Sequence, residues 1–381
     1  MSSIVLPGGE RYELRGGAVP RAGSASATSR VAYAAAHVVA DPLAENVPGA
    51  PAVLDWDATL SFRHHLWRHG LGVAEAMDTA QRGMGLDYPA VRELVRRSAS
   101  EARSVGGRIV AGVATDQLDG PATVAQILDA YREQLADVVS SGAVPVLMCS
   151  RHLAAAAAGA DDYVSVYSTL LSEVDRPVLL HWLGPMFDPA LAGYWGATDP
   201  DTAADTVLAL LKDHSAKVDG IKLSLLDADF EVAFRRRLPA GVRMYTGDDF
   251  NYPDLIAGDD QGYSDALLGV FAAIAPAVTP ALAELDRGSV DGFHALLDPT
   301  VPLARHLFGA PTRYYKTGIV FLSWLSGHQS HFTMVGGAQS GRSVTHLARL
   351  LVLADEAGLL PHADLAAARA RSFFAVAGVP Q

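Results

Sequence analysis

From residue 51 onward, short apolar runs alternate with longer amphipathic ones, and this alternation constrains the fold more than any other feature of the chain. The apolar runs centre near Val53, Ala74, Val110, Val146, Leu180, Ile221, Met244 and, less sharply, Leu267. Between them lie helical patterns such as Tyr88–Ala102, Ala122–Val139, Tyr163–Glu173 and Asp201–His214. Eight runs over this span give about 31 residues per repeat, the size of one strand-plus-helix unit. Strands alternating with helices argue for a parallel sheet. Eight units of this size predict a closed (β/α)8 TIM barrel rather than an open doubly wound sheet.

The flanks read differently. Gly8-Gly9 and Gly16-Gly17 punctuate two short alternating runs, which predict a hairpin-like appendage, followed by a Ser/Ala-rich linker and the alanine-rich stretch Val31–Ala40. Past the last apolar run, Ala281–Leu297, Val301–Leu325, Val344–Ala357 and Ala363–Ala377 read as helices. The expected organisation is an N-terminal extension over 1–50, the barrel over 51–280 and a helical region over 281–381 packed on it.

Half of the 381 residues are hydrophobic, 19% are charged and the formal net charge is -12. Such a chain can bury a large core. Its field repels nucleic-acid backbones and acidic membranes, which argues against both as partners. The single cysteine, Cys149, excludes an internal disulfide framework and fits a reducing compartment. With no secretory leader pattern and no run approaching about 18 apolar residues, the expectation is a cytoplasmic protein acting on a small molecule.

In a barrel of this kind the chemistry sits where strands end and βα loops begin. That criterion selects Asp55, then Glu75, Asp78, Thr79, Gln81 and Arg82, then His152, His181, Lys222, Ser224, Asp248 and Asp249. Lys222 stands out because it directly follows an apolar strand. An ammonium is costly to desolvate, so an interior lysine loses basicity and its neutral amine can condense with a carbonyl. The plainer alternative is a lysine paired with Asp219 or Asp248 at the barrel rim.

Gly220-Ile221-Lys222 resembles the Gly-Ile-Lys strand of the dihydrodipicolinate synthase / N-acetylneuraminate lyase superfamily, class I aldolases of pyruvate-type substrates. Arg108–Ala114, Arg176–Pro185 and Tyr245–Asp249 resemble that family's third strand, its strand ending in Tyr-Asn-x-Pro and its Ser-Gly-Asp-Asp turn, in the same order. The resemblance spans roughly residues 51–340 and identifies a divergent branch. It implies the barrel, the C-terminal helices, a homo-oligomer (dimer or tetramer), no cofactor, and Lys222 as the imine-forming residue. The family's strand-five tyrosine, its proton relay, aligns with His181. The family's Gly-Thr-Thr-Gly-Glu carboxylate loop corresponds to Asp78-Thr79-Ala80-Gln81-Arg82, which keeps one threonine and neither glycine.

The resulting expectation is a Schiff-base-forming lyase or aldolase, breaking or forming a carbon–carbon or carbon–oxygen bond in a 2-oxo acid or a keto-sugar-derived substrate. Lys222 and His181 carry the chemistry; Thr79, Gln81, Arg82, His152, Ser224, Asp248 and Asp249 contact the substrate or order its loops. Two other readings stay open. Asp55, Glu75, Asp78 and His181 offer oxygen and imidazole ligands for a divalent metal, as in TIM-barrel sugar isomerases and epimerases. Loss of the glycine loop and of the tyrosine also suits a catalytically degenerate, ligand-binding barrel.

Overall fold

In the computed structural model, which describes residues 2–17 and 27–381, eight parallel strands close into a barrel. They are β3 (Ala32–Ala35), β4 (Gly72–Glu75), β5 (Ile109–Val113), β6 (Val144–Met148), β7 (Val178–Leu183), β8 (Val218–Ser224), β9 (Arg243–Thr246) and β10 (Asp265–Leu268), with β10 pairing back onto β3. The expected barrel is therefore present. Ahead of it, β1 (Ser3–Val5) and β2 (Arg11–Glu13) form the antiparallel hairpin read from the paired glycines. The linker that follows has residues 18–26 outside the described set.

The first strand differs from the expectation. It is Ala32–Ala35, inside the stretch assigned to the extension, so the barrel starts before residue 51. Val53 lies in the loop after it and is 42% exposed. The physical reason is composition. Val-Leu has strand propensity and Ala-Tyr-Ala-Ala has little, but β3 is buried on both faces, where small side chains fit between the barrel interior and α9 (Phe271–Asp286).

The helices between strands start where polar caps satisfy their first N–H groups. Asp55 caps α1 (Trp56–Arg68), Asp87 caps α2 (Tyr88–Val105), and Thr123 forms a capping box on α3 (Val124–Ser141). Ser150 caps the short α4 (Arg151–Ala156), which leads to α5 (Ala160–Glu173). Asp199 caps α6 (Pro200–Asp213) and Asp227 caps α7 (Ala228–Arg235); α8 (Tyr252–Ala257) precedes β10. Beyond α9 run α10 (Val290–Leu297), α11 (Val301–Leu307), α12 (Tyr315–Leu325), α13 (Val344–Glu356) and α14 (Ala363–Val376), the expected helical region with breaks inside its first two segments.

Side-chain alternation divides the core in two. Inside the barrel stand Ala35, Ala74, Val110, Val146, Met148, Leu179, Tyr245 and Leu267; the opposite faces, including Ile221 and Leu223, pack under the helices. Tyr245 closes the lower barrel, its hydroxyl donating to Asp219 at 2.6 Å.

Candidate active site

Lys222 has the parity of Gly220 and Ser224, opposite to the helix-facing Ile221 and Leu223, and so projects into the barrel. Met148, His181, Lys222 and Tyr245 are register partners on four adjacent strands and share the inward-facing parity. Gly247, just past β9, leaves room for the lysine stem: a Cβ there would lie 2.8 Å from Lys222 Cε and 2.1 Å from Ser224 Oγ.

The lysine is 7% exposed. Burial lowers its pKa from 10.5 to about 8, against the opposing pull of Asp249 and Asp78. The rim pairs considered for it do not form. Asp219 serves Tyr245 and Arg243 at the other end of the barrel, and Asp248 caps its own loop, accepting from the N–H groups of Phe250 and Asn251. Asp249 is buried, accepts the Val270 N–H at 2.8 Å, and is pushed up to about 7 by desolvation. His181 is held well below the ordinary imidazole range by burial and by Lys222 beside it. Its Nε2 meets Ser224 Oγ at 3.1 Å, and its buried Nδ1 has no hydrogen-bond partner among the described residues. Lys222, His181, Ser224 and Asp249 are thus gathered at the C-terminal end of the strands, where a βα barrel places its chemistry.

In the loop after β4, two of the expected substrate contacts are also tied into the fold. Arg82 lines the open cavity that His152 borders. Its guanidinium is saturated by Asp116 (2.8 and 2.5 Å), the Gly112 carbonyl (2.7 Å) and Gln134, fastening the loop to β5 and α3. Gln81 adopts a left-handed conformation (φ 65°), and its amide nitrogen donates to the carbonyls of Met84 and Val335. Both side chains are buried, so their polar atoms are satisfied by the groups the closed barrel brings against the loop. Thr79 does reach the centre, with Oγ1 2.7 Å from the hydroxyl of Tyr315. His152 stands at the edge of an open cavity of about 320 Å³, its Nδ1 3.0 Å from Thr115 Oγ1; Asp78, Cys149, Arg151 and Asp188 line the same cavity.

The metal set is dispersed. Asp55 caps α1 at 2.9 Å from the Ala58 N–H, Glu75 forms a fully buried two-point pair with Arg63 (2.8 Å each), Asp78 binds Lys316, and His181 binds Ser224. Among the described residues, no group of three or more His, Cys, Asp or Glu side chains is arranged around a point that suits an ion. Of the histidines on α1, His64 pairs with Glu101, while His65 packs against His69 and His328 on the outside of the barrel.

Two residues at this centre carry no signal in the sequence reading. Tyr315 and Lys316 open α12, nearly fifty residues beyond β10, and both are buried. Lys316 Nζ lies 3.0 Å from Asp78 Oδ1. The pair is legible only as polar residues at the head of an otherwise apolar helix.

Comparison with known proteins places the fold. No curated protein matches the chain. Among solved structures, dihydrodipicolinate synthase from Aquifex aeolicus is similar with a TM-score of 0.67 at 13% identity, covering 87% of this chain and 99% of that one. A prophage protein of the dihydrodipicolinic acid synthase family from E. coli K12, in complex with pyruvate, is similar with a TM-score of 0.68 at 12% identity, covering 87% and 99%. The 4-hydroxy-tetrahydrodipicolinate synthase from Methylacidiphilum fumariolicum SolV gives 0.65 at 14% identity, covering 90% and 98%. Residues 7–379 match the family described as protein of unknown function (DUF993). The chain therefore belongs to the DUF993 family, and its barrel has the same fold as the dihydrodipicolinate synthase structures.

Proposed function

We propose that this protein is a Schiff-base-forming lyase or aldolase acting on a 2-oxo acid or a keto-sugar-derived substrate. The observation that carries the reading is the Lys222 amine, enclosed in the barrel and brought by burial to a pKa of about 8, so that a useful fraction is neutral near physiological pH. The similar barrel that holds pyruvate supports the substrate class.

The neutral amine attacks the C2 carbonyl, water leaves, and a protonated imine forms. Electrons from a C3–H or C3–C4 bond then flow to the imine nitrogen, giving an enamine. That enamine takes up a proton or adds to a second carbonyl before hydrolysis frees the product. His181, held neutral beside the amine and oriented by Ser224, takes and returns the proton at C3. Thr79 meets the polar end of the substrate. Asp249 balances the charge that Lys222 acquires as the imine, and Asp248 holds the loop that presents it. The resemblance adds a dimer or tetramer, which light scattering of the purified protein checks.

Borohydride reduction with a panel of 2-oxo acids tests the reading. The expected result is one added mass on the Lys222 peptide, absent in Lys222→Ala. Absence of any adduct, with Lys222→Ala binding the same acids unchanged, leaves the degenerate ligand-binding barrel in its place.

A further inference from the structure

Dehydration of the intermediate at Lys222 requires a proton for the departing oxygen, and His181, neutral beside a cation, supplies a base rather than an acid. The remaining polar groups at the centre include a phenol. Tyr315 is buried, and its ring is stacked on Phe308 (centroids 4.2 Å apart, 18° between planes) with Phe187 at its edge. Its hydroxyl is 2.7 Å from Thr79 Oγ1, and the ring passes over Gly269, where a Cβ would come within 3.1 Å of it and 3.4 Å of Thr79 Oγ1. Asp78 and Asp249, the two carboxylates that act on Lys222, also act on this phenol. Lys316 Nζ lies 5.4 Å from the Tyr315 ring centroid while holding Asp78 Oδ1, and Asp78 Oδ2 is buried with no partner among the described residues.

We propose that Tyr315, delivered from α12 and positioned by Thr79, is the proton donor that dehydrates the Lys222 carbinolamine, with the Lys316 ammonium stabilising the phenolate left behind. The proposal rests on the Schiff-base reading. In this step the C2–O bond breaks, the phenol proton leaves with the oxygen as water, and the nitrogen lone pair forms the C=N bond. The phenolate recovers its proton from solvent through the mouth. Desolvation and the nearby Asp78 and Asp249 raise the phenol well above its ordinary range, which makes it a weaker acid, so the proton passes only as the C2–O bond breaks and the departing oxygen becomes basic. The barrel thus draws its acid from the C-terminal helices and its base from β7.

Pyruvate is the probe. Borohydride quenching at successive times after mixing measures how fast the Lys222 adduct accumulates, and deuterium uptake at the pyruvate methyl group in D2O measures C3 proton transfer. In Tyr315→Phe the adduct is expected to reach the wild-type level about 100- to 10,000-fold more slowly, the range for loss of a general acid. Thr79→Val is expected to act in the same direction, and the double variant to be no slower than Tyr315→Phe alone. His181→Asn is expected to lose deuterium uptake from whatever adduct it forms, whereas the adduct that Tyr315→Phe slowly accumulates still exchanges. A rate in Tyr315→Phe within threefold of wild type overturns the proposal. Should Tyr315→Phe unfold, 3-fluorotyrosine at 315 keeps the test: an unmoved pH profile for adduct formation counts against the phenol. If wild type forms no adduct, the Schiff-base reading falls, and the proton donor with it.

Discussion

Lys222 is a destabilising residue at the pH where it is proposed to work. Burial depresses its pKa from 10.5 to about 8. Below pH 8 both the folded and unfolded chains carry the proton, and the folded state bears the full cost of enclosing an ammonium. Between about 8 and 10.5 the folded state has released a proton that the unfolded chain keeps, so the penalty fades and stability from this group rises with pH. Lys222→Met is accordingly expected to be more stable than wild type at pH 7 by on the order of 1–2 kcal/mol, Asp249 losing its counter-charge in exchange. Urea unfolding at pH 7 checks this, and a less stable variant contradicts it. The same pKa predicts that the initial rate of adduct formation with pyruvate increases through pH 8 and levels off above it. A rate flat from pH 6 to 10 means that the reacting amine is another one.

Strand ends and the loops that follow them decide which polar residues reach the centre. Gly247 keeps the end of β9 close to β8, and Gly247→Ala is expected both to abolish the Lys222 adduct and to lower the urea midpoint, because the added Cβ meets the Leu223 carbonyl oxygen at 2.7 Å as well as the lysine stem and Ser224 Oγ. Arg82 belongs to the opposite class. Arg82→Met removes the cation from a buried network with Asp116 and Gln134 and is expected to destabilise the protein by about 3–5 kcal/mol. Adduct formation by the folded fraction should survive; loss of adduct in a stably folded Arg82→Met protein would restore the guanidinium as a substrate contact. Seven strands and most helices were readable from apolar period and caps. β3 was not, because its alanines are placed by what packs on both sides of them and not by their own propensity. Val53 drew the strand assignment for the converse reason, having propensity but no partner strand.

In the whole molecule, the hairpin and the last helices close on each other. Asp355 of α13, 2% exposed, accepts from the Tyr12 hydroxyl at 2.8 Å and from the N–H groups of Arg15 and Gly16 at 3.0 and 3.1 Å. Asp355→Ala is expected to release the hairpin, seen as faster proteolytic cleavage before residue 17, with the Lys222 adduct unchanged; a hairpin still protected in that variant argues against the carboxylate as its anchor. Among the described residues no helix is long and apolar enough to cross a membrane. The barrel, its strand ends and the lysine at the end of β8 follow from local pattern, since parity and strand-plus-helix repeats are properties of neighbouring residues. Which polar side chains are spent on structure and which meet at the mouth is a matter of long-range contact. Arg82 found Asp116, Glu75 found Arg63, and Tyr315 came from α12 to Thr79. Each buried charge or hydroxyl had to be satisfied by whatever the closed barrel brought within about 3 Å, and no spacing along the chain encodes that distance.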